Sequence, residues 1–254
     1  DWRKIACAAC RKRASEPLGG ARSMAGHIST PLAAAPTGIQ PDRRLKITEI
    51  FHSIQGEGLT AGVPTVFVRL TGCPLRCVYC DTAYAFSGGE YLGLPAILGQ
   101  VADFATSHVT VTGGEPLAQV GCLDLLRALC DAGYQVSLET SGALDVAGVD
   151  ARVVLVLDLK TPASGECARN LYANLDVLKV GDQVKFVLTD RADYDWAVAT
   201  AAQHRLGERA AVLLSPVHGA LDGATLAEWM LADRLPYRLQ LQLHKLLWGE
   251  VPGR

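Results

Sequence analysis

Long apolar runs and an excess of charge of one sign are both missing from this 254-residue sequence. No stretch of about 18 consecutive apolar residues occurs and the start has no apolar signal core, so we expect no membrane partner and no secretion by the usual route. The 24 basic and 26 acidic side chains nearly cancel, which leaves no strong positive field to bind nucleic acid. We therefore expect a cytoplasmic protein that acts on a small molecule or on another protein.

Disulfides are not expected either, because a reducing compartment keeps the eight cysteines as thiols. Clustered cysteines then indicate metal or cluster ligands, and scattered ones indicate buried or incidental thiols. Cys122 and Cys130 lie on the presumed apolar face of a helix and Cys167 on a loop, so we interpret them as packing residues. Cys7 and Cys10 could form half of a zinc site, but no second pair nearby completes four ligands, which favours two exposed thiols.

Residues 1–44 lack the apolar periodicity of a strand or helix and are rich in Gly, Ala, Pro, Ser and Arg. This composition predicts a flexible amino-terminal extension, followed by one folded domain over residues 45–254. The segment begins with Asp1 and contains Met24, so we expect either a fragment or a translation start placed too early. Its Arg-rich character is loosely similar to a transit peptide, although Asp1 and Glu16 count against that interpretation.

From Ile47 onward, short β-branched runs alternate with amphipathic stretches. The pattern predicts strands at 47–54, 65–70, 108–112, 135–139, 153–159, 183–188, 211–214 and 238–243, and helices at 94–105, 122–132, 169–178, 194–205 and 224–232. This alternation predicts an α/β fold of parallel strands joined by right-handed crossover helices. About five or six such units are too few for a closed eightfold barrel, so we expect a partial (truncated) TIM-like barrel.

Polar motifs follow the predicted strands at the points where they end. They are Gln55-Gly-Glu-Gly58, Cys73, Thr112-Gly-Gly-Glu-Pro116, Glu139-Thr-Ser-Gly142, Asp158 with Lys160, and Ser215-Pro216. Because loops at the carboxyl ends of parallel strands converge, we expect these motifs to surround one active site.

The strongest chemical signal is Cys73-Pro-Leu-Arg-Cys77-Val-Tyr-Cys80, which places three thiolates on the loop after a strand. A structural zinc site is closed by four ligands, whereas a cubane held by three cysteines leaves one iron open for a ligand. No fourth Cys or His follows at finger-like spacing, which argues against zinc. The spacing therefore favours a catalytic iron-sulfur cluster, with three unrelated buried thiols as the alternative.

Cys-x3-Cys-x2-Cys with an aromatic residue before the last cysteine resembles the cluster motif of radical S-adenosylmethionine enzymes, and Thr112-Gly-Gly-Glu-Pro116 resembles the segment that binds the methionine amino group there. The resemblance implies a [4Fe-4S] cluster on Cys73, Cys77 and Cys80. It also implies that S-adenosyl-L-methionine chelates the open iron and is cleaved to a 5′-deoxyadenosyl radical. Glycines in the second motif would let the backbone approach that ligand, and its carboxylate could stabilise the ammonium.

The surrounding segments resemble the 7-carboxy-7-deazaguanine synthase family over residues 45–254. They are Ser53-Ile-Gln-Gly-Glu-Gly58, Phe67-Val-Arg-Leu-Thr-Gly-Cys73, Cys80-Asp-Thr82, Asp158-Leu-Lys-Thr-Pro162 and Gln242-Leu-His-Lys-Leu-Leu-Trp248. The resemblance implies a carbon-nitrogen lyase that converts 6-carboxy-5,6,7,8-tetrahydropterin to 7-carboxy-7-deazaguanine with release of ammonia, in queuosine biosynthesis. It further implies a flavodoxin- or ferredoxin-type reductant and a homodimer.

Two residues carry the expected catalytic roles, Arg69 and Glu57. A guanidinium at position 69 could hold the substrate carboxylate in a bidentate pair, with a surface salt bridge as the alternative. Gln55 and Glu57 could read the aminopyrimidinone edge of a pterin, or they could be turn residues. The family positions expected to bind substrate are Ile54, Gln55, Gly56, Glu57, Arg69 and Thr112.

Thr82 matches the family's Mg²⁺ ligand, although the sequence by itself suggests a helix cap at that position. The positions expected to bind S-adenosylmethionine are Tyr79, Cys80, Asp81, Gly114, Asp158, Leu159, Lys160, Ser215, Pro216, Val217 and His218. Acid-base or packing roles both remain open for His218 and His244.

Two other functions share parts of this pattern. A glycyl-radical activase has the same cysteine spacing and a short barrel, but Arg69, Thr82 and the His244-Lys245 pair favour the pterin substrate. A non-catalytic iron-sulfur electron carrier has no reason to build a site for an organic ligand, so the Gly-Gly-Glu-Pro segment argues against it.

Overall fold

The computed structural model describes residues 43–249, 251 and 253 of the chain. Cys7, Cys10 and nearly all of the predicted extension lie outside these residues, and the predicted boundary between residues 44 and 45 falls at the start of the first strand. Over the described range, no helix is both long enough and apolar enough to cross a membrane.

The described residues form one sheet with helices between most of its strands. The strands are β1 Arg44–Ile54, β2 Pro64–Leu70, β3 Glu90–Gly93, β4 His108–Gly113, β5 Gln135–Thr140, β6 Val154–Asp158, β7 Gln183–Leu188, β8 Ala211–Pro216 and β9 Arg238–Leu239. The α-helices are α1 Leu94–Ala102, α2 Cys122–Asp131, α3 Arg191–Gln203, α4 Gly223–Ala232 and α5 Leu243–Trp248. Short 3₁₀ turns lie at Ala83–Phe86, Pro116–Ala118, Pro162–Ser164, Cys167–Arg169, Tyr172–Val177 and Leu206–Glu208.

The sheet order is β3-β1-β2-β4-β5-β6-β7-β8-β9, and the seven strands from β2 to β9 (β3 excluded) are parallel. This confirms the predicted α/β fold and the partial barrel. The core lies between the sheet and the helices, where Val66, Val68 and Leu70 of β2 are fully buried. Burying each such side chain contributes roughly 1.5–3 kcal/mol relative to leaving it exposed. Cys122 belongs to this core and Cys130 packs against it.

The prediction of parallel pairing is wrong for the first strand. β1 is antiparallel to β2, and β3, which sequence analysis missed, is antiparallel to β1. The reason is the connection at 55–63, which is too short to hold the crossover helix that a parallel pair needs. The carboxyl end of β1 therefore lies beside the amino end of β2, since Ile54 pairs with Pro64.

A β-bulge in β1 decides which side chains face the functional side of the sheet. The register with β2 shifts between Ile47, which pairs with Leu70, and Glu49, which pairs with Arg69. Ile47 is buried in the core, whereas Glu49 lies beside Arg69, the strand residue that faces away from that core. One extra residue in a strand reverses the alternation of every residue after it.

Two further element predictions are wrong. The helix predicted at 169–178 consists of 3₁₀ turns, because asparagine side chains bind neighbouring backbone instead of supporting helical hydrogen bonds. Asn170 exchanges two hydrogen bonds with the backbone of Lys160, and Asn174 binds the backbone of Val146 and Leu144. The strand predicted at 238–243 ends at Leu239, and α5 begins where that strand was expected to end.

Candidate active site

A cavity of about 660 Å³ opens on the sheet face opposite the core. Seventeen predicted site residues line it: Ile54, Gln55, Gly56, Glu57, Arg69, Cys73, Cys77, Tyr79, Cys80, Asp81, Thr82, Thr112, Gly114, Asp158, Lys160, Val217 and His218. Leu159, Ser215 and Pro216 do not line it, and Leu159 belongs to the hydrophobic core. Residues that are 199 positions apart in sequence, such as Ile54 and Gly253, thus share one cavity.

The three clustered cysteines all line this cavity as half-buried free thiols. Burial raises the pKa of Cys73 and Cys77, while the charge of nearby Lys160 acts in the opposite direction. Among the described residues, no three Cys, His, Asp or Glu side chains already converge on one point as they would around a single ion. A cubane cluster takes one thiolate on each of three irons, so three separate thiols that face a common cavity fit it.

The Gly-Gly-Glu-Pro segment supports the cysteine loop. A Cβ atom on Gly114 would overlap Gly72 O and lie 2.7 Å from Cys73 Cβ, so only glycine lets the two loops approach this closely. Glu115 was expected near an ammonium group, but it is fully buried and does not line the cavity. Its carboxylate accepts hydrogen bonds from Leu117 N, Ser141 N and the Thr140 hydroxyl, so it connects the ends of β4 and β5.

The loop that carries Gln55 and Glu57 enters the barrel at the end where the parallel strands begin, because β1 is antiparallel to β2. The sequence pattern predicts this loop at the other end, where the parallel strands stop. Leu59 N donates to Gln183 Oε1 at 2.9 Å, and Gln183 is the first residue of β7. Gln55 is buried and its amide donates to Thr110 Oγ1 at 3.0 Å. The loop therefore forms the floor of the cavity, while the cysteine loop lies at its opposite end.

Glu57 is the charged centre of this floor. Its Oε2 lies 2.7 Å from Lys185 Nζ and accepts from Gln240 Nε2 at 3.0 Å, and its Oε1 accepts from Gln242 Nε2 at 2.9 Å. Burial opposes ionisation, but the charge and hydrogen bond of Lys185 outweigh it and lower the pKa of Glu57. The side chain is thus held as a carboxylate.

A second carboxylate and two lysines continue the charged floor toward the cysteines. Asp158 Oδ2 lies 2.9 Å from Lys160 Nζ and 3.6 Å from Lys185 Nζ. Burial raises the pKa of Asp158, but the two lysines outweigh it and the net pKa is lowered. Asp158 Oδ1 is buried without a hydrogen-bond partner among the described residues, so it is an acceptor available to a ligand.

Glu139 differs from these acids because it forms no salt bridge with a lysine of residues 43–249. Burial and the nearby charge of Glu57 raise its pKa, and its carboxylate accepts from Thr112 Oγ1 at 2.9 Å. Sequence analysis placed Glu139 at a strand end without a role and missed Lys185 entirely. A signal existed for both, since each is a charged residue in an otherwise uncharged strand, where an unpaired charge is rarely buried.

Arg69 makes the salt bridge that was considered as an alternative role. Its Nε donates to Glu49 Oε1 at 2.7 Å, and Tyr84 Oη donates to the same oxygen at 2.8 Å. The pair is not a surface contact, because the Arg69 side chain is only 16% exposed and lines the cavity. Burial and the neighbouring carboxylate raise the pKa of Tyr84 to about 12.

Thr82 lies at the N-cap position of the 3₁₀ turn Ala83–Phe86, but its side chain makes no capping hydrogen bond. Its hydroxyl donates to Asp81 Oδ1 at 2.9 Å instead, and Asp81 Oδ2 lies 3.1 Å from Lys245 Nζ. Burial opposes ionisation of Asp81, but the charge of Lys245 outweighs it and lowers the pKa. Tyr79 donates to Val187 O at 3.3 Å, and burial raises its pKa to about 12.

The two histidines differ in their surroundings. A Cβ atom on Gly56 would lie 2.5 Å from His244 Nδ1, so the imidazole packs directly against the floor loop. Burial lowers the pKa of His244. His218 also lines the cavity and is exposed.

Comparison with known proteins identifies the family to which this chain belongs. Residues 67–157 match the family model of the radical SAM superfamily. A 7-carboxy-7-deazaguanine synthase from Chlorobaculum tepidum is 47% identical over 209 residues, which are 81% of this chain and 94% of that protein. One from Koribacter versatilis is 42% identical and covers 80% of this chain and 97% of its own. The chain belongs to the 7-carboxy-7-deazaguanine synthase family.

A solved structure independently supports the fold of this chain. The crystal structure of QueE from Escherichia coli superposes with a TM-score of 0.66 at 24% identity, covering 79% of this chain and 95% of that one. Membership confirms the predicted superfamily and synthase family. The role of each cavity residue stays a prediction.

Proposed function

We propose that this chain converts 6-carboxy-5,6,7,8-tetrahydropterin to 7-carboxy-7-deazaguanine with release of ammonia, as a carbon-nitrogen lyase of queuosine biosynthesis. The observation that carries the proposal is one cavity that joins three clustered thiols at one end to a charged, hydrogen-bonding floor at the other. A protein that only carries electrons needs no such floor. Both relatives are named as 7-carboxy-7-deazaguanine synthases, which supports the same reaction. Neither of them is named as an activating enzyme.

Cys73, Cys77 and Cys80 would hold the [4Fe-4S] cluster, and the loop and strand ends beside them would hold S-adenosylmethionine. When bound, these groups supply a 5′-deoxyadenosyl radical that removes a hydrogen atom from the substrate. The unpartnered Asp158 Oδ1 is an acceptor for hydroxyl or ammonium groups of the bound cofactor. Leu159, Ser215 and Pro216 are buried and do not line the cavity, so the structure does not support direct contact of their side chains with the cofactor.

The floor would bind the pterin through Glu57 and Gln55. An ionised carboxylate offers about four acceptor sites, and three of those on Glu57 are taken by Lys185, Gln240 and Gln242. One site therefore remains for an N–H of the aminopyrimidinone. Because the three protein donors fix the orientation of the carboxylate, this site favours one pose of the ring. Ile54, Gly56 and Thr112 line the same cavity.

Arg69 would bind the substrate carboxylate. Its Nε is taken by Glu49, but its two terminal nitrogens have no hydrogen-bond partner among the described residues. Arg69→Lys keeps the charge and loses the planar fork, so it should weaken substrate binding by about 1–3 kcal/mol.

We also propose Mg²⁺ at Thr82, an external flavodoxin- or ferredoxin-type reductant, and a homodimer. Thr82 supports the metal site because its hydroxyl lies on the cavity and does not cap the following turn. A single neutral ligand suffices for Mg²⁺, which keeps several waters and binds substrate oxygens.

An anaerobic assay tests the reaction. Protein reconstituted with iron and sulfide, dithionite, S-adenosylmethionine and carboxytetrahydropterin should produce the deazapurine chromophore and 5′-deoxyadenosine. Arg69→Lys should raise KM and still release 5′-deoxyadenosine slowly without substrate, while Arg127→Lys on the surface serves as the matched control. Absence of the chromophore from protein with a full cluster would refute the proposal.

A further inference from the structure

The guanidinium of Arg69 is held by residues that sequence analysis did not connect with it. Glu49 binds its Nε, and the rings of Phe51 and Tyr84 lie 5.7 and 5.8 Å from its Cζ. Tyr84 also donates to the Glu49 oxygen that accepts from Arg69. Three side chains therefore fix the guanidinium along one edge and against aromatic rings.

Glu49 reaches this position because of the bulge in β1. Without the register shift after Ile47, the side chain at position 49 would continue the core-facing alternation of Leu45 and Ile47. With the shift, Glu49 lies directly opposite Arg69 on the antiparallel strand, where side chains on the same face are close neighbours. Arg69 and Tyr84 line the cavity, whereas Glu49 does not.

This arrangement restricts how a carboxylate can meet Arg69. A guanidinium can form a bidentate pair either through Nε and one terminal nitrogen or through both terminal nitrogens. Glu49 occupies Nε, so only the edge made by the two terminal nitrogens is left for a ligand.

We propose that Glu49 is a positioning residue that presents the terminal-nitrogen edge of Arg69 to the substrate carboxylate. The inference rests on the proposed function, because it assigns the 6-carboxylate of the pterin to that edge. Glu49 acts through Arg69 and does not itself contact the substrate. Tyr84 assists by holding the carboxylate of Glu49.

Simple electrostatics makes the opposite prediction. If Glu49 were only a competing anion, its removal would strengthen binding of a carboxylated ligand, because Arg69 would be released from an ion pair. Glu49→Gln removes the charge but keeps an oxygen that can accept from Arg69 Nε and Tyr84 Oη. Glu49→Ala removes both the charge and the positioning oxygen. Comparing the two variants therefore separates positioning from competition.

Anaerobic calorimetry on cluster-loaded protein with S-adenosylmethionine present measures the effect, with carboxytetrahydropterin and a tetrahydropterin that lacks the 6-carboxylate as ligands. Glu49→Ala should weaken the carboxylated ligand about ten-fold, because a guanidinium that is no longer held in place should lose about one of its two charge-assisted hydrogen bonds to the ligand carboxylate. It should change the decarboxylated ligand by less than about two-fold, which is within ordinary surface effects. Glu49→Gln should stay close to wild type for both ligands. Glu228→Ala, an exposed glutamate on α4, is the matched control.

The remaining outcomes decide against the inference. Tighter carboxylate binding by both variants would show competition, and equal weakening of both ligands by Glu49→Ala would show a general structural role. Wild-type binding by Glu49→Ala would show no role. Failure of the wild-type protein to bind or convert carboxytetrahydropterin would instead refute the proposed function, so the two failures are distinguishable.

Discussion

The buried pair of Glu57 and Lys185 allows a quantitative test of how the cavity floor is held. The side chains are 13% and 12% exposed, and their charged atoms are 2.7 Å apart. Removing one partner of a buried pair costs about 3–5 kcal/mol, because the other charge is left uncompensated. Gln240 and Gln242 would still donate to Glu57 after Lys185→Met. We therefore expect a loss near the lower end, about 3 kcal/mol, or roughly 6–12 °C in melting temperature for a domain of this size.

The contribution of this pair to the stability of the protein should change with pH in a defined direction. In the wild-type protein the pKa of Glu57 is lowered from 4.5, so its contribution is present above that value and is lost as pH falls through the lowered pKa. The pKa of Lys185 is raised above 10.5, so its contribution is present below that value and is lost as pH rises through the raised pKa. The pair should thus stabilise the protein evenly between about pH 5 and pH 10.

In Lys185→Met the pKa of Glu57 should instead be raised, since burial remains and the neighbouring cation is gone. The penalty should then grow as pH rises above 4.5, by about 1.4 kcal/mol per pH unit until the raised pKa is reached. The double variant Glu57→Gln with Lys185→Met should recover most of the lost stability and show no such pH dependence from Glu57.

Thermal melting followed by circular dichroism at pH 5 and pH 8 measures these differences for the wild type, both single variants and the double variant. The reasoning would be refuted if Lys185→Met melted within about 2 °C of wild type at pH 8, which corresponds to less than 1 kcal/mol. It would also be refuted if the double variant were no more stable than Lys185→Met at that pH.

Three further predictions concern other parts of the cavity. Cys77→Ala should lose most of the iron after anaerobic reconstitution, whereas Cys122→Ala, in the core, should retain about four irons per chain by iron analysis. Thr82→Ala should make turnover less sensitive to added Mg²⁺ in the anaerobic assay, and unchanged Mg²⁺ dependence would contradict the metal site. Gly56→Ala should lower turnover and pterin affinity, because the new Cβ would lie 2.5 Å from His244 Nδ1 and must displace either the floor loop or α5.

Sequence reasoning succeeded where the signal is local. Cys73, Cys77 and Cys80 lie within eight positions of one loop, so their proximity did not depend on the topology of the sheet. The parallel strands β2, β4, β5, β6, β7 and β8 were also predictable, because each is a short apolar run and all of them except β7 end at a polar motif. Pairing those strands in chain order then placed Thr112 and Asp158 on the same cavity.

Sequence reasoning failed where the position of a side chain depends on how the β-strands pair. Glu49 faces Arg69 only because of a bulge, and nothing in the local sequence marks where the extra residue lies. The orientation of β1 had a readable signal in its short connection to β2, but the expectation of uniform parallel pairing overrode it. As a result, the loop of Gln55 and Glu57 was assigned to the wrong edge of the barrel.

The antiparallel β1 also explains why distant parts of the chain meet in the floor. A closed barrel fills its interior with layers of side chains from its own strands. Here a loop enters that space, and Gly58 N donates to Gln240 Oε1 while Leu243 N donates to Gly56 O. A Cβ atom on Gly58, whose φ is +74°, would lie 2.7 Å from Gln183 Oε1. Residues 55–58 of the loop pack against these elements, so Gly56 and Gly58 are required by contacts with β7 and with the segment that precedes and begins α5.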